Sequence, residues 1–271
     1  MKRKYIKYLS WCLMLIMICT MMLTMVSCGN HKITKEQEVE GTFENISISA
    51  NKEANITIEP SPDGKVKVVA VTHKKVNCDA KIEGTTLFVN IEDPRNWFGR
   101  VLEFHSPKVT VYIPAGEYVK LQIDTTTGNT NVSSAFSFET ISIEGTTGNI
   151  TCNASAKNSI DIRNTTGDVT LNNVTTNTLN IKITTGKIAL NNVITSGKMS
   201  LKTTTGNIRF NGCDGAEIYA TATTGSIKGT LLSPKIFLTS SRTGKVNVPH
   251  TASGGICDLS TTTGKIDISI K

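Results

Sequence analysis

Between residue 29 and the first coil of the 271-residue chain no stretch carries apolar side chains at i, i+3, i+4 and i+7 over three turns, so nothing there reads as an amphipathic helix. Aromatic residues are scarce at 6%, which argues against a core built on large rings. There is no Cys-x-x-Cys pair and no zinc-type spacing, and His31, His73, His105 and His250 are scattered, so no metal and no cofactor are expected. A nucleic-acid partner is also excluded, because there is no basic helix and no basic-aromatic motif. The formal charge of +7 owes four units to Lys2, Arg3, Lys4 and Lys7. What remains is rich in Thr, Asn, Gly and Ile, a mixture suited to short strands and turns.

Those four basic residues precede an uncharged apolar run from Tyr8 to Val26. Basic first and apolar second is the order of a secretory signal, and the run could also span a bilayer as a retained helix. Met25-Val26-Ser27-Cys28-Gly29 resembles the bacterial lipobox, with Met25 where Leu is usual. On that reading residues 1–27 are a signal peptide and Cys28 is the lipidation site. Residues 28–42 are then a tether, and the partner is a membrane surface outside the cytoplasm. Several acyl chains would hold the chain there stably, whereas one is marginal. Cys78, Cys152, Cys213 and Cys257 remain; an even number permits disulfides, but their irregular offsets favour buried thiols acting as small apolar residues.

From residue 43 to 124 the chain reads as irregular β coils. Phe43–Ile48, Ala54–Ile58, Lys65–Val71, Asp79–Ile82, Thr86–Ile91, Lys108–Ile113 and Tyr118–Ile123 all alternate or are β-branched. Asp63-Gly64 suits a hairpin-like reversal. One interruption, residues 93–100, holds Arg95, Trp97, Phe98 and Arg100. It reads either as an apolar plug on the core or as an aromatic-basic platform for a sugar ring or anionic head group.

Residues 125–271 are organised by a tripeptide. Thr-Thr-Gly or a close variant ends at Gly128, Gly148, Gly167, Gly186, Gly206, Gly225, Gly244 and Gly264, with gaps of 19 or 20 residues. Such a period is the signature of a solenoid. Two residues after each Gly comes an apolar slot (Ile150, Val169, Ile188, Ile208, Ile227, Val246, Ile266), and two further on another. A second strand closes each coil, with inward candidates that include Ile160, Leu179, Met199, Ile236 and Leu238. The fold class expected is all-β: one parallel β-helix, or β-solenoid, with the glycines as structural turns where the backbone needs positive φ. Stacked at about 4.8 Å, the eight corners make a rod of roughly 34 Å. Lys265–Lys271 would be its final, charge-blunted edge.

Leader, β-rich front half and coils punctuated by phrases such as Gly148-Asn149-Ile150, Gly167-Asp168-Val169 and Gly206-Asn207-Ile208 resemble the bacterial putative-adhesin family. Val109-Thr110-Val111-Tyr112-Ile113-Pro114 matches the strand that precedes that family's coils. The resemblance covers about Phe43 to Lys271 and implies an exported β-solenoid of unassigned function, with a role in envelope homeostasis. It supplies no catalytic residues. The expected function is therefore a non-enzymatic, lipid-anchored envelope protein for binding or scaffolding, its partner an envelope protein or an anionic wall polymer. The alternative is a polysaccharide-acting β-helix enzyme, which needs converging acids and bases. Asp161 and Asp168 are its candidates. An ice-binding Thr ladder is a lesser alternative, because Thr here flanks corner glycines instead of lying mid-strand.

Overall fold

The computed structural model describes residues 23–25, 32–95 and 106–271. Among these every regular element is a strand. A coil of the repeat region consists of a long strand ending in Thr-Thr-Gly, a corner, a short strand and a second corner. The long strands stack in parallel register to form one face, with Leu121, Ile141, Ile160, Leu179, Met199, Ile218 and Cys257 in a single column. The short strands form the other face, where Ile150, Val169, Ile188, Ile208, Ile227 and Ile266 align. All thirteen side chains are at most 2% exposed. Each such burial stabilises the stack by about 1.5–3 kcal/mol, and almost all of it is against neighbouring coils.

The corner glycines have two reasons to be glycine. Their φ values lie between +127° at Gly128 and +157° at Gly264, where side chains are strained. The second reason is absent from a turn argument. A Cβ on Gly206 would stand 1.8 Å from the carbonyl oxygen of Gly186, and one on Gly167 2.0 Å from that of Gly148. Each corner is threaded onto the one below, and the Gly N–H donates to the Thr of the adjoining coil, as from Gly206 to Thr224 O at 2.8 Å. The second corner takes its left-handed residue from Asn173, Asn192 and Gly212.

Two departures from chain order frame the stack. At the front, Asn45–Pro60 lies directly under the first Thr-Thr-Gly coil, pairing with Lys120–Thr127 and Thr130–Val132. Ala54 stands in the glycine column, its N–H bonded to Thr127 O at 2.7 Å. The regular stack therefore begins before residue 125, hidden because Glu53-Ala54-Asn55 replaces Thr-Gly-Asn. Residues 32–39, expected to be tether, form a strand antiparallel to Val66–His73. The strand was obscured because Lys35 and Gln37 occupy the alternate positions where apolar residues would signal it; buried Gln37 bonds both ways with the Ala80 backbone. The reversal at Asp63-Gly64 is real, but its flanking strands do not pair with each other: Lys108–Ile113 runs between them.

At the far end the last two coils exchange places. Ile227–Leu231 pairs with Ile266–Ile270, and the Gly264 coil sits between the Gly225 and Gly244 coils. Lys265–Lys271 is thus interior to the stack and is not its edge. The terminal strands are Lys235–Thr243 and Val246–Asn247. This corrects the inward assignment of Ile236 and Leu238, which are 42% and 51% exposed, and the buried slot given to Val246, 43% exposed. Phe237 pairs with Cys257 in the inward column, shifting its neighbours outward, and no coil covers Val246. Lys235, 4% exposed, fastens this displaced coil through its ion pair with Asp214 at 2.7 Å.

If the close approach is what requires glycine, Gly206→Ala should lose about 3 kcal/mol or more in urea unfolding, combining positive-φ strain with overpacking. Gly84→Ala, at φ +60° with nothing within 4 Å of the new methyl, should lose only about 1–2 kcal/mol.

Candidate functional site

A cleft of about 410 Å³ lies near the front of the stack, lined by Val39 to Phe43, Gly64 to Val66, Pro114 and Tyr118, with Glu38 on the rim. Its wall is aromatic. Phe43 stacks on Tyr118 with ring centroids 5.4 Å apart and planes within 13°, and Tyr118 continues against Phe138 at 5.8 Å and Phe136 at 6.3 Å. The Tyr118 hydroxyl donates to Pro114 O at 2.6 Å, and burial pushes its pKa up to about 12, so it stays neutral. Charge sits only at the rim, where Lys65 meets Glu38 at 3.3 Å and Glu40 is exposed. Such a cleft can hold an apolar or ring-bearing group against Phe43 and Tyr118, with Glu38, Glu40 and Lys65 beside a polar end. Sequence reading missed it, although one signal was present: Tyr118 and Phe138 are a repeat apart and pair in register.

The sites that were expected fare differently. Trp97, Phe98 and Arg100 lie outside the described residues, as does the lipidation candidate Cys28. Arg95 is described, and its side chain is turned to Asp93. Its guanidinium is 7% exposed and grips Asp93 with two bonds of 2.9 Å, while Lys52 Nζ donates to its carbonyl at 2.7 Å. The candidate acids Asp161 and Asp168 belong to different parts of the coil. Asp161 points out from the long-strand face, accepting from Asn180 at 2.8 Å with Arg163 at 3.8 Å. Asp168 follows a corner glycine and accepts the Lys187 backbone N–H at 2.8 Å. Other members of its column do the same: Asn55 accepts the N–H of Asn129, Asn129 that of Asn149, Asn149 that of Asp168, and Asn207 that of Ser226, while Lys187, with no acceptor, interrupts the series. The column is a ladder of side-chain caps. A shallow groove of about 260 Å³ on the long-strand face includes Lys120, Ser142, Glu144, Asp161 and Arg163, and there Arg163 also faces Glu144 at 3.5 Å. Among the described residues no three His, Cys, Asp or Glu side chains group as metal ligands.

A model of the Toastrack DUF4097 family matches residues 43–254. The chain belongs to the Toastrack DUF4097 family. The solved structures it is similar to share little sequence. A putative adhesin of Bacteroides fragilis is 19% identical, with a TM-score of 0.56 over 90% of this chain and 100% of that one. A protein of Parabacteroides distasonis described as a putative lipid binding protein is 14% identical, with a TM-score of 0.52 over 89% and 98%. At these identities the likeness is one of fold. No curated protein matches the chain.

Cys78, Cys152, Cys213 and Cys257 of this Toastrack chain are free and buried. Burial raises each thiol: Cys78 and Cys257 to about 12 and Cys152 to about 11, with Cys213 also raised, so none is a ready nucleophile. Two buried carboxylates move the other way. Burial opposes ionisation of Asp93 and Asp214, yet hydrogen bonds and charge from Arg95 and from Lys235 with Ser233 hold both below the ordinary 3.8. A depressed carboxylate contributes stability above its unfolded pKa and loses it as pH falls through the folded value. Urea unfolding between pH 6 and pH 2.5 should therefore show stability falling below about pH 4. Asp93→Asn and Asp214→Asn should each be less stable at pH 6 and flatten that fall.

Proposed function

We propose that this Toastrack chain is a non-enzymatic envelope protein, held at the outer face of a membrane by lipid on Cys28, that presents its rod for binding and uses the Phe43–Tyr118 cleft as its recognition surface. The observation that carries this reading is the division of labour among polar groups. The candidate carboxylates Asp161 and Asp168 and their neighbour Glu144 are engaged by Arg163, by Asn180 or by a backbone N–H, whereas the cleft combines the stacked Phe43 and Tyr118 rings with a charged rim. Aromatic walls of this kind suit a ligand with an apolar or ring-shaped body and a polar head. The fold neighbour described as lipid-binding agrees with that class, and the one described as a putative adhesin agrees with a surface location. The sequence from Met1 to Cys28 supplies the address.

The test is fractionation of cells expressing the full chain, with labelled palmitate. The parent chain should carry label and sediment with membranes, and Cys28→Ala should lose both. In a pull-down from envelopes, Phe43→Ala should retain at most about a tenth of the bound material, as expected for loss of one buried ring. Label and membrane association that survive Cys28→Ala would refute the anchor, and unchanged capture by Phe43→Ala would refute the cleft.

A further inference from the structure

The terminal coil concentrates the chain's exposed apolar surface. Of the eight large apolar residues exposed among the described residues, five (Leu232, Ile236, Leu238, Val246 and Ile256) fall between residues 232 and 256. Ile236 and Ile256 are register neighbours on the outward side of the long-strand face. The strand that carries Ile236, Lys235–Thr243, pairs among the described residues only with Gly255–Thr263, which carries Ile256, so its other side offers unpaired backbone N–H and C=O groups. An exposed, apolar, unpaired strand is a template for another strand.

The opposite end of the rod is protected. Its outermost long-face strand, Asn77–Glu83, turns Asp79, Lys81 and Glu83 outward, with Lys81 paired to Glu83 at 2.8 Å. Charges of this kind keep an edge from pairing. The neighbouring short-face strand, Lys32–Val39, is already paired on its outer side, antiparallel to Leu23–Met25. The exposed stretch Ile236–Leu238 has neither protection.

The apolar edge is complementary to itself. Ile236, Phe237 and Leu238 are consecutive, so a two-fold axis through Phe237 would run two copies antiparallel. Ile236 of each would then stand opposite Leu238 of the other, and the partly buried Phe237 opposite its counterpart. Both outward apolar residues are covered in that register, and the Ile256 side chains flank them. Arg242 of each copy falls beyond the paired segment, at opposite ends, so the like charges do not meet. We propose that the edge at Lys235–Thr243 is a homodimer interface: a second copy of this chain adds its own edge strand, antiparallel and centred on Phe237, joining two rods at their terminal coils. An isologous contact of this kind closes after two copies and does not propagate.

The experiment uses the full chain, solubilised in detergent. Sedimentation velocity should show a concentration-dependent monomer–dimer equilibrium, and Leu238→Lys should weaken it by about tenfold to a hundredfold, as expected for loss of one buried leucine contact. The register is read separately. Under mild oxidation a mixture of Ile236→Cys and Leu238→Cys chains should form a mixed disulfide dimer well above the parent chain's background, and neither variant alone should do so. A monomer at every concentration would overturn the proposal. So would a dimer untouched by Leu238→Lys, or cross-linking as strong within each variant as between them.

Discussion

The structure depends on one contact repeated along an axis: a corner glycine whose Cα lies against the carbonyl of the corner below. At 1.8–2.0 Å from that oxygen there is no room for a Cβ, so the coil spacing and the identity of the residue are the same constraint. Once corners can nest, everything between them falls into columns. The Ile, Val and Leu slots stack without exposure, the threonines before the glycines align, and side chains after the glycines cap the next coil's backbone. The corner carbonyls are themselves satisfied from the side, by Asn164 on Gly148, Thr203 on Gly186 and Thr261 on Gly225.

The same constraint separates structural from recognition chemistry. Residues that recur with the coil serve the stack, and that includes polar ones such as Asn149 and Asp168. Residues that stand outside the period are free to differ: the Phe43–Tyr118 wall at one end and the apolar strand at the other. Both ends are also where the chain leaves sequential order, with residues 45–60 tucked under the first regular coil and 255–270 inserted inside the last.

Much of the fold was legible because a 19–20-residue period with a fixed glycine admits few architectures. What escaped is instructive in physical terms. Sequence order does not state spatial order, so Ile266–Ile270 looked like an edge although it is interior, and Ile236 and Leu238 looked inward. Ala54 in place of glycine concealed a coil, and Gln37 in place of an apolar residue concealed a strand, because in each the backbone geometry is kept while the side-chain signal is lost. Of the expected site, Arg95 proved to be a buried partner of Asp93. The cleft assembles from residues far apart in the chain, which no local pattern announces.

Nested corners make a definite claim about motion, and amide hydrogen exchange addresses it most directly. The N–H groups of Gly148, Gly167, Gly186, Gly206 and Gly225 each donate to a threonine carbonyl of the adjoining coil at 2.8–2.9 Å. If the corners hold the stack together, these five amides should exchange as slowly as those of the buried strand columns, opening only with the whole rod. Corner amides that exchange orders of magnitude faster than Leu190 or Ile208 would show that the corners are loose turns hung on a hydrophobic core, and the account would fail.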